Sequence, residues 1–180
     1  MSKDYFKSKY NPKSNRNHNW DYSINGQYFI TICVRNKIPY FGDVIDSRMI
    51  LNEYGNIAHE IWAQIPKQFL WAEIDEFVVM PNHIHGIIKI RNSSKIVKTN
   101  RGGATGVNNP MIQKSLAKVI RWYKGRVSYE IHKSLPSFAW QPKYHDVIIS
   151  TQEELRHKQK YIKDNPKKWE RDKTNKTQTR

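Results

Sequence analysis

Apolar residues recur along this chain with two periods. In QYFITICV (27–34), β-branched and aromatic side chains crowd eight positions, the composition of a strand. Between residues 51 and 65, apolar side chains recur at 51, 54, 57, 58, 61, 62 and 65. That spacing makes one face of a helix, which Pro66 is expected to close. WAEIDEFVVM (71–80) and HIHGIIKI (83–90) predict a strand pair joined at Pro81-Asn82. MIQKSLAKVIRWYKGRVSYEIHKS (111–134) predicts a second long helix, with Ile112, Leu116, Val119, Ile120, Tyr123 and Val127 on one face. FAWQPKYHDVII (138–149) reads as a further strand and STQEELRHKQKYIKDN (150–165) as a third helix. Ser150 or Thr151 can cap that helix, with Glu153 and Glu154 in its first turn.

The order is β, with room for a hairpin through 39–45, then α, β, β, α, β, α. It predicts an α+β fold, a ferredoxin/RRM-like sandwich with a central, largely antiparallel sheet and packed helices. Residues 1–20 are basic and Asn-rich and read as a flexible arm. Residues 21–170 form one domain and 171–180 a basic tail, and the Gly-rich 92–110 reads as a plain loop without Walker spacing. No internal repeat is visible.

Charge changes the picture. Thirty-one Lys and Arg stand against sixteen Asp and Glu, a net charge of +15, which calls for an anionic partner. The excess is uneven: 43–76 is net −5, 77–150 net +10 and the last 25 residues net +7. No apolar run approaches the ~20 residues that span a bilayer, so no membrane is expected. With Cys33 the lone cysteine, there is no disulfide framework and no Cys-based zinc cluster; the expectation is a reduced, cytoplasmic protein.

Candidate chemistry begins at MPNHIHGIIKI (80–90). Alternation along a strand puts His83 and His85 on one face, close enough for two imidazoles to share a cation. Two histidines alone do not make a site, and for an isolated His-x-His two surface or hydrogen-bonded side chains are the blander account. A third group is available in KQKYIKDNP (158–166), where Tyr161 and Asn165 are four residues apart on one helix face. Pro166 is expected to end the helix at Asn165. Capping by Asn and packing by Tyr are the ordinary roles at such positions.

Together, Met-Pro-Asn-His-hydrophobic-His (80–85), the WQ…YH…II segment (140–149) and Tyr-Ile-x-x-Asn-Pro (161–166) resemble the single-tyrosine transposases of the His-hydrophobic-His (HUH) endonuclease superfamily. The similarity is to the branch of REP-associated tyrosine transposases and their insertion-sequence relatives, and it covers about residues 25–170. It implies that His83, His85 and Asn165 hold a divalent metal, Mg²⁺ or Mn²⁺, and that Tyr161 is the nucleophile. It further implies cleavage of single-stranded DNA near hairpin or palindromic elements through a 5′-phosphotyrosine, in a bacterial cytoplasm. Monomer and homodimer are both open, since insertion-sequence relatives commonly pair.

The chemistry is coherent. A neutral phenol is a weak nucleophile, and a cation polarising a phosphoryl oxygen compensates. Imidazole suits Mn²⁺ at least as well as Mg²⁺, and zinc would tolerate the same trio. Tyr123 reads as core and Tyr129 lies off the apolar stripe, while Tyr144, with His145, stays open as a further member of the site. For the DNA itself, Lys114, Lys118 and Arg121 share an arc of the second long helix with Lys124 beside it. Lys163, Lys167, Lys168 and Arg171 follow near Tyr161. Trp122, Trp140 and Trp169 offer stacking surfaces or core. The competing readings are a non-catalytic, domesticated nucleic-acid binder of the same fold, a replication or plasmid-transfer nuclease, and a metal hydrolase that uses water.

Overall fold

The computed structural model describes residues 25–91 and 115–169. The β-rich segment near residue 30 is β1 (Gly26–Cys33). A separate hairpin follows, β2 (Gly42–Ile45) with β3 (Arg48–Leu51). Its two-residue turn places Asp46 and Ser47 at φ 49° and 60°, the left-handed conformation whose twist matches a tight hairpin. Asn52 then accepts a bond from the Gly55 N–H and starts α1 (Glu53–Ala63).

Pro66 does not simply close that helix. It lies in the first turn of a second, short helix, α2 (Ile65–Gln68), a position where its missing N–H costs nothing. The predicted strand pair forms as β4 (Ala72–Met80) and β5 (His83–Ile90). Next come α3 (Leu116–Ile131), β6 (His145–Ile149), α4 (Gln152–Lys163) and α5 (Asn165–Trp169).

Within this series β1, α1, β4, β5, α3 and β6 make a βαββαβ unit. The sheet order is β4-β5-β1-β6 and every neighbouring pair is antiparallel. This is the ferredoxin-like sandwich. The strand expected over 138–149 shrinks to Gln-free β6: Pro142 supplies no N–H to a ladder, and only Trp140 makes an isolated bridge, to Val34.

Alternation divides the sheet between two apolar layers. Tyr28, Ile30, Ile32, Ile84 and Ile88 face α1 and α3, packing with Trp62, Val119, Ile120, Tyr123 and Val127. Tyr123 is the core residue its periodicity predicts, and its hydroxyl donates to the Ala58 carbonyl at 3.0 Å. Gly86 is required here, because a Cβ would sit 2.3 Å from Cζ2 of Trp62. The opposite face carries Phe29, Ile87 and Ile149, covered by Leu155 and Ile162 of α4. That second face also carries the histidines.

Candidate functional site

The turn between β4 and β5 fixes the first histidine. Asn36 and Lys37 adopt φ 56° and 54°, and the Lys37 carbonyl accepts from Nδ2 of Asn82 at 2.9 Å. This orients the buried amide so that its Oδ1 faces Nδ1 of His83 at 2.8 Å. An oxygen with no proton requires N–H at Nδ1, so that in the neutral ring the lone pair stands on Nε2. One strand position on, Nδ1 of the buried His85 lies 2.9 Å from the Thr31 hydroxyl. Thr31 is its cross-strand partner on β1. Burial, reinforced by the neighbouring His83, lowers the His85 pKa from 6.5 to about 3, so the ring is neutral in ordinary buffers.

The helix after β6 brings the phenol. Thr151 caps α4 in a reciprocal capping box with Glu154, as its sequence predicts. Leu155 and Ile162 then seat the helix on the sheet. Tyr161 comes to rest with its ring 5.3 Å from the His85 ring and 5.8 Å from Phe29, edge-on to both. The two imidazoles are 4.5 Å apart. At 38% exposure, Tyr161 is packed on one side and open to solvent on the other.

α4 ends at Lys163, two residues before Asn165, and the chain turns through Asp164 into α5 rather than leaving the helix altogether. Pro166 is tolerated because it stands in the first turn of this new helix. Asn165 is buried at the junction, and Trp169 reaches back to place its indole 5.7 Å from the His83 ring. Lys168 holds its ammonium 5.0 Å from the centre of the Tyr161 ring.

The other expected site residues are distributed differently. Lys114 and Arg171 lie outside the described residues. Lys118, Arg121 and Lys124 sit on α3, the layer across the sheet from the histidines. Lys124 is engaged, donating to the Gln141 carbonyl at 2.6 Å. Lys163 pairs with Glu76 at 2.8 Å, while Lys167 is exposed. Trp140 and Trp122 are structural: Trp140 is buried and donates to the Lys124 carbonyl, and Trp122 packs edge-on to Phe69. Tyr144 packs against the α1/α3 layer, away from the histidine face. His145 alternates onto the histidine face, two strands from His85 across Thr31, and is exposed.

The hydrogen-bonding roles of Asn82 and Thr31 beside the histidines were not visible in the sequence. Pro81-Asn82 read as a turn former, and nothing in its spacing announces that the amide orients an imidazole. No group of three or more His, Cys, Asp or Glu could hold a metal among the described residues, so a cation at the histidines needs a donor of another kind. The donor chemistry fits one: two imidazoles whose Nδ1 atoms each have a defined partner, His85 held neutral by burial, and an amide four residues after the phenol. No helix among the described residues is long and apolar enough to cross a membrane.

No family model matches the sequence. Among solved structures, the chain is similar in fold to a REP-associated tyrosine transposase bound to a REP hairpin. The TM-score is 0.58 at 20% identity, covering 85% of this chain and 73% of that one. An uncharacterized protein of Haemophilus influenzae is 35% identical over 176 residues, spanning 96% of this chain and 97% of its own. With so much identity along nearly the whole of both chains, this protein belongs to the family of that Haemophilus influenzae protein.

Proposed function

We propose that this protein is a metal-dependent DNA strand transferase acting on single-stranded DNA beside hairpins. The observation that carries the reading is the seat of Tyr161, whose ring stands edge-on to the His85 imidazole with one side open to solvent. His83, His85 and Asn165 would hold Mg²⁺ or Mn²⁺, which when bound polarises a phosphoryl oxygen. The protein's own groups do the rest. The Tyr161 hydroxyl attacks phosphorus and the 3′-hydroxyl departs, leaving a 5′-phosphotyrosine that a second 3′-hydroxyl can reverse. Lys168 stands beside the phenol, where its ammonium can meet the passing phosphate.

The net charge of +15 supports a polyanionic partner, and fold similarity to a hairpin-bound transposase supports the choice of DNA among polyanions. The test is incubation with Mn²⁺ and single-stranded hairpin oligonucleotides, followed by protease digestion and mass spectrometry. A nucleotide adduct is expected on the peptide containing Tyr161. In Tyr161→Phe the adduct is lost while hairpin affinity stays within about twofold. An adduct on another residue, or cleavage that survives the substitution, refutes the assignment; binding without any cleavage favours the non-catalytic reading.

A further inference from the structure

α4 touches the sheet through a narrow seam. Its buried residues are Leu155 and Ile162, and a helix resting on two side chains can roll about its axis unless its flanks are held. The flanks here are unlike each other. Tyr161 projects on the side toward β1 and β5, over Phe29 and His85. Gln159 and Lys163, one turn apart, share the other flank, about 160° round the axis from Tyr161. Both reach β4.

They do so at an irregularity. Between Ile74 and Phe77 the register of β4 on β5 shifts, and the displaced residues are Asp75 and Glu76. Asp75 receives Nε2 of Gln159 at 2.8 Å, Nζ of Lys89 at 2.5 Å and the Glu76 N–H at 2.7 Å. Its side chain is only 13% exposed. Glu76 takes Nζ of Lys163 at 2.8 Å, a more exposed pair. A regular strand would alternate these two acids across the sheet; the bulge lets both meet the same helix.

We infer that Asp75 and Glu76 are positioning residues whose grip on Gln159 and Lys163 fixes the roll of α4, and so the place of the Tyr161 hydroxyl over the imidazoles. Side-chain tips stand roughly 5–6 Å from a helix axis, so a roll of about 10° carries them ~1 Å. A misplacement of that size costs about a hundredfold in a reaction needing alignment. Of the two contacts, Asp75–Gln159 is the main one, because it is shielded and its acceptor is held by two other donors; the exposed pair adds little. The catalytic consequence rests on the transferase reading, while the geometric claim does not.

The experiment places 3-fluorotyrosine at position 161 alone and records its ¹⁹F resonance, with single-turnover cleavage and hairpin affinity measured alongside. Gln159→Glu sets a carboxylate against Asp75. It is expected to shift or broaden the resonance and slow cleavage about a hundredfold, with affinity within about twofold. Gln159→Lys restores a donor and recovers both signals. If Gln159→Glu fails to fold, Gln159→Ala removes the tether without adding charge and should show the same changes in smaller degree. An unchanged resonance in the folded variants overturns the anchor. If the unsubstituted protein forms no adduct, the transferase reading falls and the ¹⁹F arm alone decides the anchor.

Discussion

The smallest scale is that of a single imidazole and its supporting amide. Asn82 holds His83 by one hydrogen bond and is itself held by the Lys37 carbonyl. Asn82→Ala should leave the strand pair intact yet weaken Mn²⁺ binding by about tenfold or more, read by titration calorimetry, the usual cost of losing such a partner. His83→Ala and Asn165→Ala are expected to do at least as much, and an unchanged titration in either removes that residue from the site. His85 makes a separate prediction in the metal-free protein. Its folded pKa lies below its ordinary value, so the unfolded chain binds the extra proton between those two values. Its contribution to stability is therefore whole above 6.5, falls as the pH drops through that window, and is exhausted near 3. The slope, about 1.4 kcal/mol per pH unit below pH 6, should flatten in His85→Gln when urea unfolding is measured from pH 7 to 4.

At the scale of elements, what the sequence makes legible is what depends on neighbours in the chain. The apolar stripe of α3 and the Thr151–Glu154 box could be read because helix periodicity and capping are local. So could the shared face of His83 and His85, because strand alternation is local too. Thr151→Ala should cost about 1 kcal/mol of stability, measurable by denaturant unfolding, and it acts on the helix that carries the phenol. The misses have the opposite character. The strand through 138–149 was interrupted by Pro142, and the helices at Pro66 and Pro166 restarted where the pattern suggested a stop. At each of those helices the proline allows two local outcomes, a stop or a fresh first turn, and the pattern of apolar positions does not choose between them. Gly86 belongs here as well: its need follows from Trp62, 24 positions away in the chain. Gly86→Ala is expected to destabilise by about 1–3 kcal/mol or more, lowering the thermal midpoint while sparing a Gly125→Ala control, whose added Cβ meets nothing within 4 Å.

For the whole molecule, the βαββαβ order and its largely antiparallel sheet were accessible because hydrophobic pattern fixes element type and connection lengths limit the pairings. The distribution of cations was not. Lys124 and Lys163, free surface charges in the sequence, are engaged by a carbonyl and by a partly exposed carboxylate, and α3 lies across the sheet from Tyr161. Lys158 and Lys168 remain on the histidine side, over the Phe29 and Tyr161 rings, and Lys167 is exposed next to Lys168 on α5. Hairpin binding should therefore lose affinity with salt at a logarithmic slope of about −3 or steeper. Reversing Lys167 and Lys168 together to Glu should flatten that slope more than reversing Lys118 and Arg121, as measured by anisotropy between 50 and 200 mM salt.

Trp169 gives this arrangement an optical gauge. Its indole sits within one ring's breadth of His83, so a paramagnetic ion arriving at the imidazoles would darken its emission through short-range quenching. Comparing the unsubstituted chain with Trp169→Phe isolates that one fluorophore from the other five tryptophans. Occupancy could then be followed in real time, in the absence of DNA and before any bond is cut.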